Sequence, residues 1–137
     1  MTALQKTFWI ASALAIGAAL IALGQASCRM VWPTPSGVDP RDMVRMGAHV
    51  ARLPKTALVA LIVANGVGTL SASYLAGRKV GGRFALIPGE ILGLFGLMNV
   101  LMVPHPSWFI IGLLVTFTLT TLVGAWLGTR ATALAKR

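Results

Sequence analysis

Hydrophobic positions form four long runs that together cover most of the 137-residue chain. Each run is about 20 residues long, and at about 1.5 Å per residue a helix of that length crosses a hydrocarbon core of about 30 Å. A segment in lipid must satisfy its backbone hydrogen bonds internally, so we expect these runs to be α-helices. The pattern predicts an all-α polytopic membrane protein, a single transmembrane domain over residues 1–137, with helices at about 4–24, 56–77, 84–103 and 108–128.

The long loop between the first two runs is expected to contain a fifth, shorter helix. Pro33 and Pro35 keep the beginning of this loop extended. Asp39 and Pro40 then form a helix-start signal, after which apolar residues recur at spacings of three and four as far as Leu53. We therefore predict a short amphipathic helix over about residues 40–53, lying in the headgroup region.

Composition and charge agree with a membrane location. Hydrophobic residues make up 56% of the chain and charged residues 11%, well below the roughly 25% of a soluble domain. The net charge of +9 would suggest nucleic acid as a partner in a soluble protein, but here the basic residues cluster at the ends of the apolar runs, which indicates contact with lipid headgroups rather than with nucleic acid. Seven of the twelve lie on the side that holds both termini, so we expect both termini to be cytoplasmic. These seven are Lys6, Arg78, Lys79, Arg83, Arg130, Lys136 and Arg137.

The second and fourth apolar runs resemble each other at an offset of 52 residues. Small residues recur at every fourth position in both, and such stripes let helix backbones approach closely in lipid. The turns after the first and third runs also share a pattern of two prolines, which predicts two helical hairpins in parallel orientation. The stripe of the second run is Ala60, Ala64, Gly68, Ala72 and Ala76, and that of the fourth is Gly112, Thr116, Thr120, Gly124 and Gly128.

Three polar residues within the apolar runs are candidates for an intramembrane function. Glu90 is the only acidic residue in a run, and a carboxylate at membrane depth usually faces a partner or water. Asn65 and Asn99 could bridge helices by hydrogen bonds or line a polar path. Glu90 and Asn99 are nine residues apart, so they point to opposite faces of one helix, which counts against a single line of polar groups.

Soft metal ligands also gather on the side of the membrane opposite the termini. Thioether and imidazole groups together suit Cu(I), although methionine is also an ordinary apolar filler. The weak candidates for such a site are Met43, Met46, His49, Met98, Met102 and His105. No cofactor is predicted, and the chain carries no recognisable catalytic motif, so we do not expect an enzyme.

Two loop motifs resemble those of known proteins. The segments 33–40 (Pro-Thr-Pro-Ser-Gly-Val-Asp-Pro) and 104–109 (Pro-His-Pro-Ser-Trp-Phe) resemble a group of small uncharacterised bacterial four-helix integral membrane proteins. The resemblance implies a bacterial inner-membrane location and transfers no site residue. A fainter likeness links Asn65-Gly66-Val67-Gly68 and the threonines of 116–121 to four-helix fluoride channels, whose glycine-rich first helix has no counterpart here.

These observations favour a non-enzymatic protein that packs against other chains through its small-residue stripes. It would act as a homo-oligomer or as an accessory subunit of a larger membrane complex. The alternative is a small proton- or cation-linked transporter or channel that uses Glu90, and a lesser alternative is binding of Cu(I) on the outer face.

Overall fold

The computed structural model describes residues 1–39 and 41–135, and all regular structure within them is helical. Within these described residues five α-helices follow one another, and a single 3-10 turn, Gly82–Ala85, precedes the fourth. The α-helices are α1 (Ala3–Val31), α2 (Met43–Arg52), α3 (Lys55–Lys79), α4 (Ile87–Met102) and α5 (Ser107–Leu134). Four segments are long and apolar enough to cross a membrane, namely α1, α3, α5 and the stretch Gly82–Met102 that contains α4. This confirms the prediction of four helices that are long and apolar enough to cross a membrane.

Helix α1 is longer than the apolar run that predicts it. It begins after Thr2, whose hydroxyl accepts a hydrogen bond from the Gln5 amide while the Gln5 side chain accepts from the Thr2 amide. At the other end it continues through the polar residues after Gly24 and ends at Val31. Polar side chains do not stop a helix, but Pro33 cannot continue one, so the helix ends two residues before it.

Helix α4 is shorter than predicted, because a 3-10 turn takes the place of its first α-helical turn. The chain makes the 3-10 turn first, and the α-helix then begins at Ile87 with Pro88 in its first turn. Proline is tolerated there because the amide that it lacks would have no partner within the helix. Gly81, just before the turn, and Gly82, its first residue, have φ angles of 75° and 57°, a conformation that favours glycine.

The start of α2 also differs from the prediction. Asp42, rather than Asp39, caps the helix, and its carboxylate accepts a hydrogen bond of 3.1 Å from the Arg45 amide. Asp39 instead accepts from the Arg41 amide at 2.9 Å in the turn before the helix. The predicted proline at the first helical position, Pro40, lies outside the described residues.

Helix α3 is the central helix of the bundle. It runs antiparallel to α1 on one side, where a β-carbon built on Gly24 would lie 2.5 Å from Ala64 Cβ and one on Gly17 would lie 2.7 Å from Ala72 Cβ. It runs parallel to α5 on the other side, where a β-carbon on Gly124 would lie 2.5 Å from the Leu70 carbonyl oxygen. The two helices that resemble each other in sequence therefore pack side by side.

Both small-residue stripes pack on other helices of the same chain in these contacts. On α3, Gly68 and Ala72 are buried against α1, while on α5, Gly124 and Gly128 are buried against α3. Thr120 adds a hydrogen bond, because its hydroxyl lies 2.6 Å from that of Thr69. The stripes therefore have partners within the chain and no longer give a reason to expect a second chain.

The short helix α2 closes one end of the bundle, which we call the α2 end. Gly47 is buried on Pro104, where an added β-carbon would lie 2.9 Å from the proline Cδ. Val50 reaches into the buried apolar core together with residues of the transmembrane helices. This core consists of Val50, Leu58, Val100, Phe109, Leu113 and Phe117.

The opposite end, which we call the terminal end because α1 begins and α5 ends there, carries four contacts between a cation and an aromatic ring. Lys79 Nζ lies 4.6 Å from the centre of the Trp9 ring, and the Arg130 guanidinium lies 4.9 Å from the Trp126 ring. Lys6 and Arg83 both approach Phe84. Such pairs hold long basic side chains against apolar surface while their charged groups reach the headgroups.

Candidate functional site

A cleft lies between α1 and α4. The two helices touch near Gly17 and Leu92, since a β-carbon on Gly17 would lie 2.7 Å from Leu92 Cδ1. Closer to the α2 end they lean in different directions, because Gly24 packs on α3 whereas Gly96 packs on Phe117 of α5. The gap that this divergence leaves is the cleft.

The cleft has a volume of about 500 Å³. That is within the range of about 300–1,000 Å³ found for small-molecule sites. Leu61 of α3 and Leu113 of α5 contribute to its lining, between walls formed by α1 and α4. Ala22 and Phe95 line it and are nevertheless exposed, Phe95 to 64%, so the cleft is open at its side between α1 and α4. In a bilayer that opening would face lipid.

Asn65 is the polar residue farthest from the α2 end of the cleft. It lies ten residues into α3, or about 15 Å from the beginning of the helix. Its amide donates a hydrogen bond of 2.8 Å to the Leu61 carbonyl, and among the described residues its side chain makes no other hydrogen bond. An asparagine side chain can take part in four hydrogen bonds. Asn65, which lines the cleft and is 8% exposed, can therefore form further hydrogen bonds with a ligand.

The polar part of the lining is concentrated toward the α2 end. There Arg29 and His49 line the cleft from α1 and α2, and His105 lines it from the turn between α4 and α5. The His105 ring is held in place, because its Nδ1 lies 2.6 Å from the Val103 carbonyl oxygen and its plane stacks on Phe109 at 5.0 Å. Apart from Asn65, the cleft is thus apolar toward the middle of the bundle, and it is polar toward one end.

Two of the three predicted intramembrane residues line the cleft, and the third does not. Asn65 and Asn99 both line the cleft, one from α3 and one from α4. Glu90 does not line it, and lies exposed on the first turn of α4. The opposite directions of Glu90 and Asn99 on α4 agree with their spacing of nine residues.

The metal candidates are divided as well. Met46, His49 and His105 line the cleft, whereas Met43, Met98 and Met102 are exposed and are not part of its lining. Within the described part of the chain, no group of three or more His, Cys, Asp or Glu side chains is placed to hold a metal ion. The six residues are therefore split between the cleft lining and the exposed surface.

Sequence reasoning did not single out several residues that line the cleft. Gln25 and Arg29 lie in the part of α1 beyond the apolar run, where polar side chains were assigned to a loop. A signal was present, because Gly17 and Gly24 are two turns apart and mark the face of α1 that packs closely on α3. That face fixes the direction in which Gln25 and Arg29 project.

Buried hydroxyl groups lie between α3, α4 and α5, nearer the terminal end than the cleft. Thr69 and Ser73 are fully buried, and Thr69 donates to backbone carbonyls of its own helix. The Ser73 and Thr121 hydroxyls lie against Gly89, where there is no room for a β-carbon. The Ser73 hydroxyl has no hydrogen-bond partner among the described residues. These groups serve close packing and lie outside the cleft lining.

The comparisons with known proteins give no further guidance. A scan against protein-family models, a search of curated proteins and a search of solved structures each found no match. Function is therefore inferred from the geometry of the cleft and from the exposed surface.

Proposed function

We propose that this chain is a non-enzymatic membrane protein whose cleft binds the apolar chain of an amphipathic lipid. The observation that carries the proposal is the shape of the cleft, which opens sideways between α1 and α4 and, apart from Asn65, is apolar toward the middle of the bundle. Water in such a gap would meet mainly hydrocarbon, whereas a lipid chain would replace lost contacts between side chains.

The polar groups near the α2 end indicate that the ligand is amphipathic rather than purely apolar. The bilayer is as apolar as the lining, so burying a hydrocarbon chain alone gives little preference over bulk lipid. Arg29, His49 and His105 supply polar contacts at the end of the cleft that a lipid headgroup would reach. Selective binding would come from those contacts, with the cleft fixing the orientation of the chain.

Photo-crosslinking with a lipid that carries a diazirine on its acyl chain tests this proposal. Leu113 is buried, so we expect crosslinks to it and to Leu61 only when a chain enters the cleft. Filling the cleft with Ala22→Trp should remove these two crosslinks. Ala19→Trp is the matched control, because Ala19 is an exposed residue of α1 outside the lining. Absence of both crosslinks in the parent, or their persistence in Ala22→Trp, contradicts the proposal.

A second function, association with another chain, is supported by Glu90. Its carboxylate is exposed within a predicted membrane span, and the one salt bridge among the described residues joins Arg45 to Asp42. A carboxylate in lipid costs up to about 3 kcal/mol, so a basic group of a second copy or of a partner subunit would stabilise it. Loss of oligomers in Glu90→Gln, but not in the neighbouring exposed Leu94→Ala, would support this; a monomeric parent in detergent and in nanodiscs would exclude it.

The transporter alternative draws no support from the cleft, since Glu90 lies outside its lining. Measurement of proton or cation flux in proteoliposomes tests this alternative. Proton or cation flux that is present in the parent and abolished in Glu90→Gln would support the alternative, and equal flux in the two would exclude Glu90 as its coupling residue.

A further inference from the structure

The cleft lining carries a positively charged side chain and no negatively charged one among the described residues. Arg29 is the only lysine or arginine among the lining residues, and no described carboxylate is part of the lining. Of the two acidic residues near the α2 end, Asp42 is paired with Arg45 at 3.3 Å and Asp39 lies in the loop before it. A positive headgroup would therefore find no counter-ion at the cleft, whereas a phosphate oxygen would find a guanidinium.

The surroundings of the cleft strengthen this asymmetry. The segment 29–55, which forms the α2 end, holds five basic residues and only two acidic ones. Its excess positive charge attracts anionic lipid to the surface and disfavours a headgroup that carries an ammonium ion. The basic residues are Arg29, Arg41, Arg45, Arg52 and Lys55.

His105 adds a hydrogen-bond acceptor. A backbone carbonyl can only accept, so the short contact between His105 Nδ1 and the Val103 oxygen places the proton on Nδ1. In the neutral ring the other nitrogen, Nε2, then accepts hydrogen bonds and cannot donate to a phosphate. A headgroup that also carries hydroxyl groups would donate to it.

We infer that the cleft selects a lipid of the leaflet facing α2 whose headgroup is a phosphodiester of net negative charge ending in an uncharged, hydroxylated group. This inference rests on the proposed binding of a lipid chain and names the ligand class of that site. Arg29 binds the phosphate, and His105 accepts from the terminal hydroxyl groups. Phosphatidylglycerol has this chemistry, and phosphatidylethanolamine of the same chains is the zwitterionic comparison.

Competition between these two lipids tests the inference. The protein is placed in nanodiscs with equal amounts of phosphatidylglycerol and phosphatidylethanolamine that have identical acyl chains, and the retained lipids are counted by native mass spectrometry. We expect the parent to retain more phosphatidylglycerol. Because Arg29 is exposed, its removal in Arg29→Gln should lower the preference by about two- to fivefold. Arg52→Gln removes the same charge from an exposed site outside the lining and should lower the preference less than Arg29→Gln does.

Two results overturn the inference. One is equal retention of the two lipids by the parent, and the other is an equal loss of preference in Arg29→Gln and Arg52→Gln, which would mean attraction by overall charge alone. Crosslinking of Leu61 and Leu113 is measured on the same samples. If the crosslinks form without any headgroup preference, this inference fails and chain binding stands; if they do not form at all, both fail.

Discussion

The contact between α3 and α5 predicts that two glycine substitutions in this bundle will differ in their effect on the free energy of unfolding. In Gly124→Ala the new β-carbon would lie 2.5 Å from the Leu70 oxygen and 3.1 Å from the Tyr74 nitrogen. Both atoms belong to the backbone of α3, so neither can move without shifting the helix. In Gly93→Ala the nearest neighbour would be the Phe117 side chain at 3.5 Å, an ordinary van der Waals distance.

The magnitude follows from comparing the two variants. Replacing glycine by alanine inside a helix stabilises by about 0.4–1 kcal/mol when the space is free, and this gain is common to both sites. Forcing extra volume into a packed contact costs about 1–3 kcal/mol, and only Gly124→Ala incurs that cost. We therefore expect the free energies of unfolding of the two variants to differ by about 1–3 kcal/mol, with Gly93→Ala at or above the parent.

Unfolding of the purified protein in mixed micelles by increasing fractions of SDS, followed by circular dichroism, measures the difference. If Gly124→Ala is as stable as Gly93→Ala, the close approach of α3 and α5 is not present in the folded protein. If both variants are destabilised equally, the loss is a property of glycine in these helices and not of the contact.

Three further substitutions probe other contacts by the same unfolding assay. Thr69→Val removes the hydrogen bond to Thr120 and should cost about 0.6 kcal/mol, the average for such bonds between membrane helices; an unchanged stability would show that the bond does not contribute. Ser73→Ala removes a buried hydroxyl that has no hydrogen-bond partner in the described part of the chain and should stabilise by up to about 1 kcal/mol, so a clear loss of stability would reveal a further partner. Gly47→Leu should displace α2 from Pro104 and make the α2–α3 loop more sensitive to protease; unchanged cleavage would contradict that contact.

The four long apolar helices could be predicted because an apolar run of about 20 residues has few stable alternatives in a membrane. Their ends could not be predicted as well. Hydropathy falls at Gly24, but the helix continues to Val31, since helix ends are set by backbone groups and by Pro33 rather than by polarity. The late beginning of α4 has the same origin in Gly82 and Pro88.

The partners of the small-residue stripes, and hence the cleft, could not be predicted from the sequence. A stripe shows that a helix can approach another closely, but not which helix it approaches or whether that helix belongs to the same chain. The cleft exists because Gly24 directs α1 onto α3 while Gly96 directs α4 onto α5. Asn65 and Asn99 could be named as polar residues at membrane depth, yet their place on one cavity depends on this divergence.

The collision rate of a nitroxide at the cleft tests the central claim most directly. The label is attached to Leu61→Cys in a Cys28→Ser background, which removes the chain's single cysteine, and the protein is studied in lipid nanodiscs. A lipid chain in the cleft predicts frequent collisions with oxygen, which dissolves in hydrocarbon, and few with a polar nickel chelate. Frequent collisions with nickel would mean a water-filled cleft, and few collisions with either would mean a closed one; both results contradict the account.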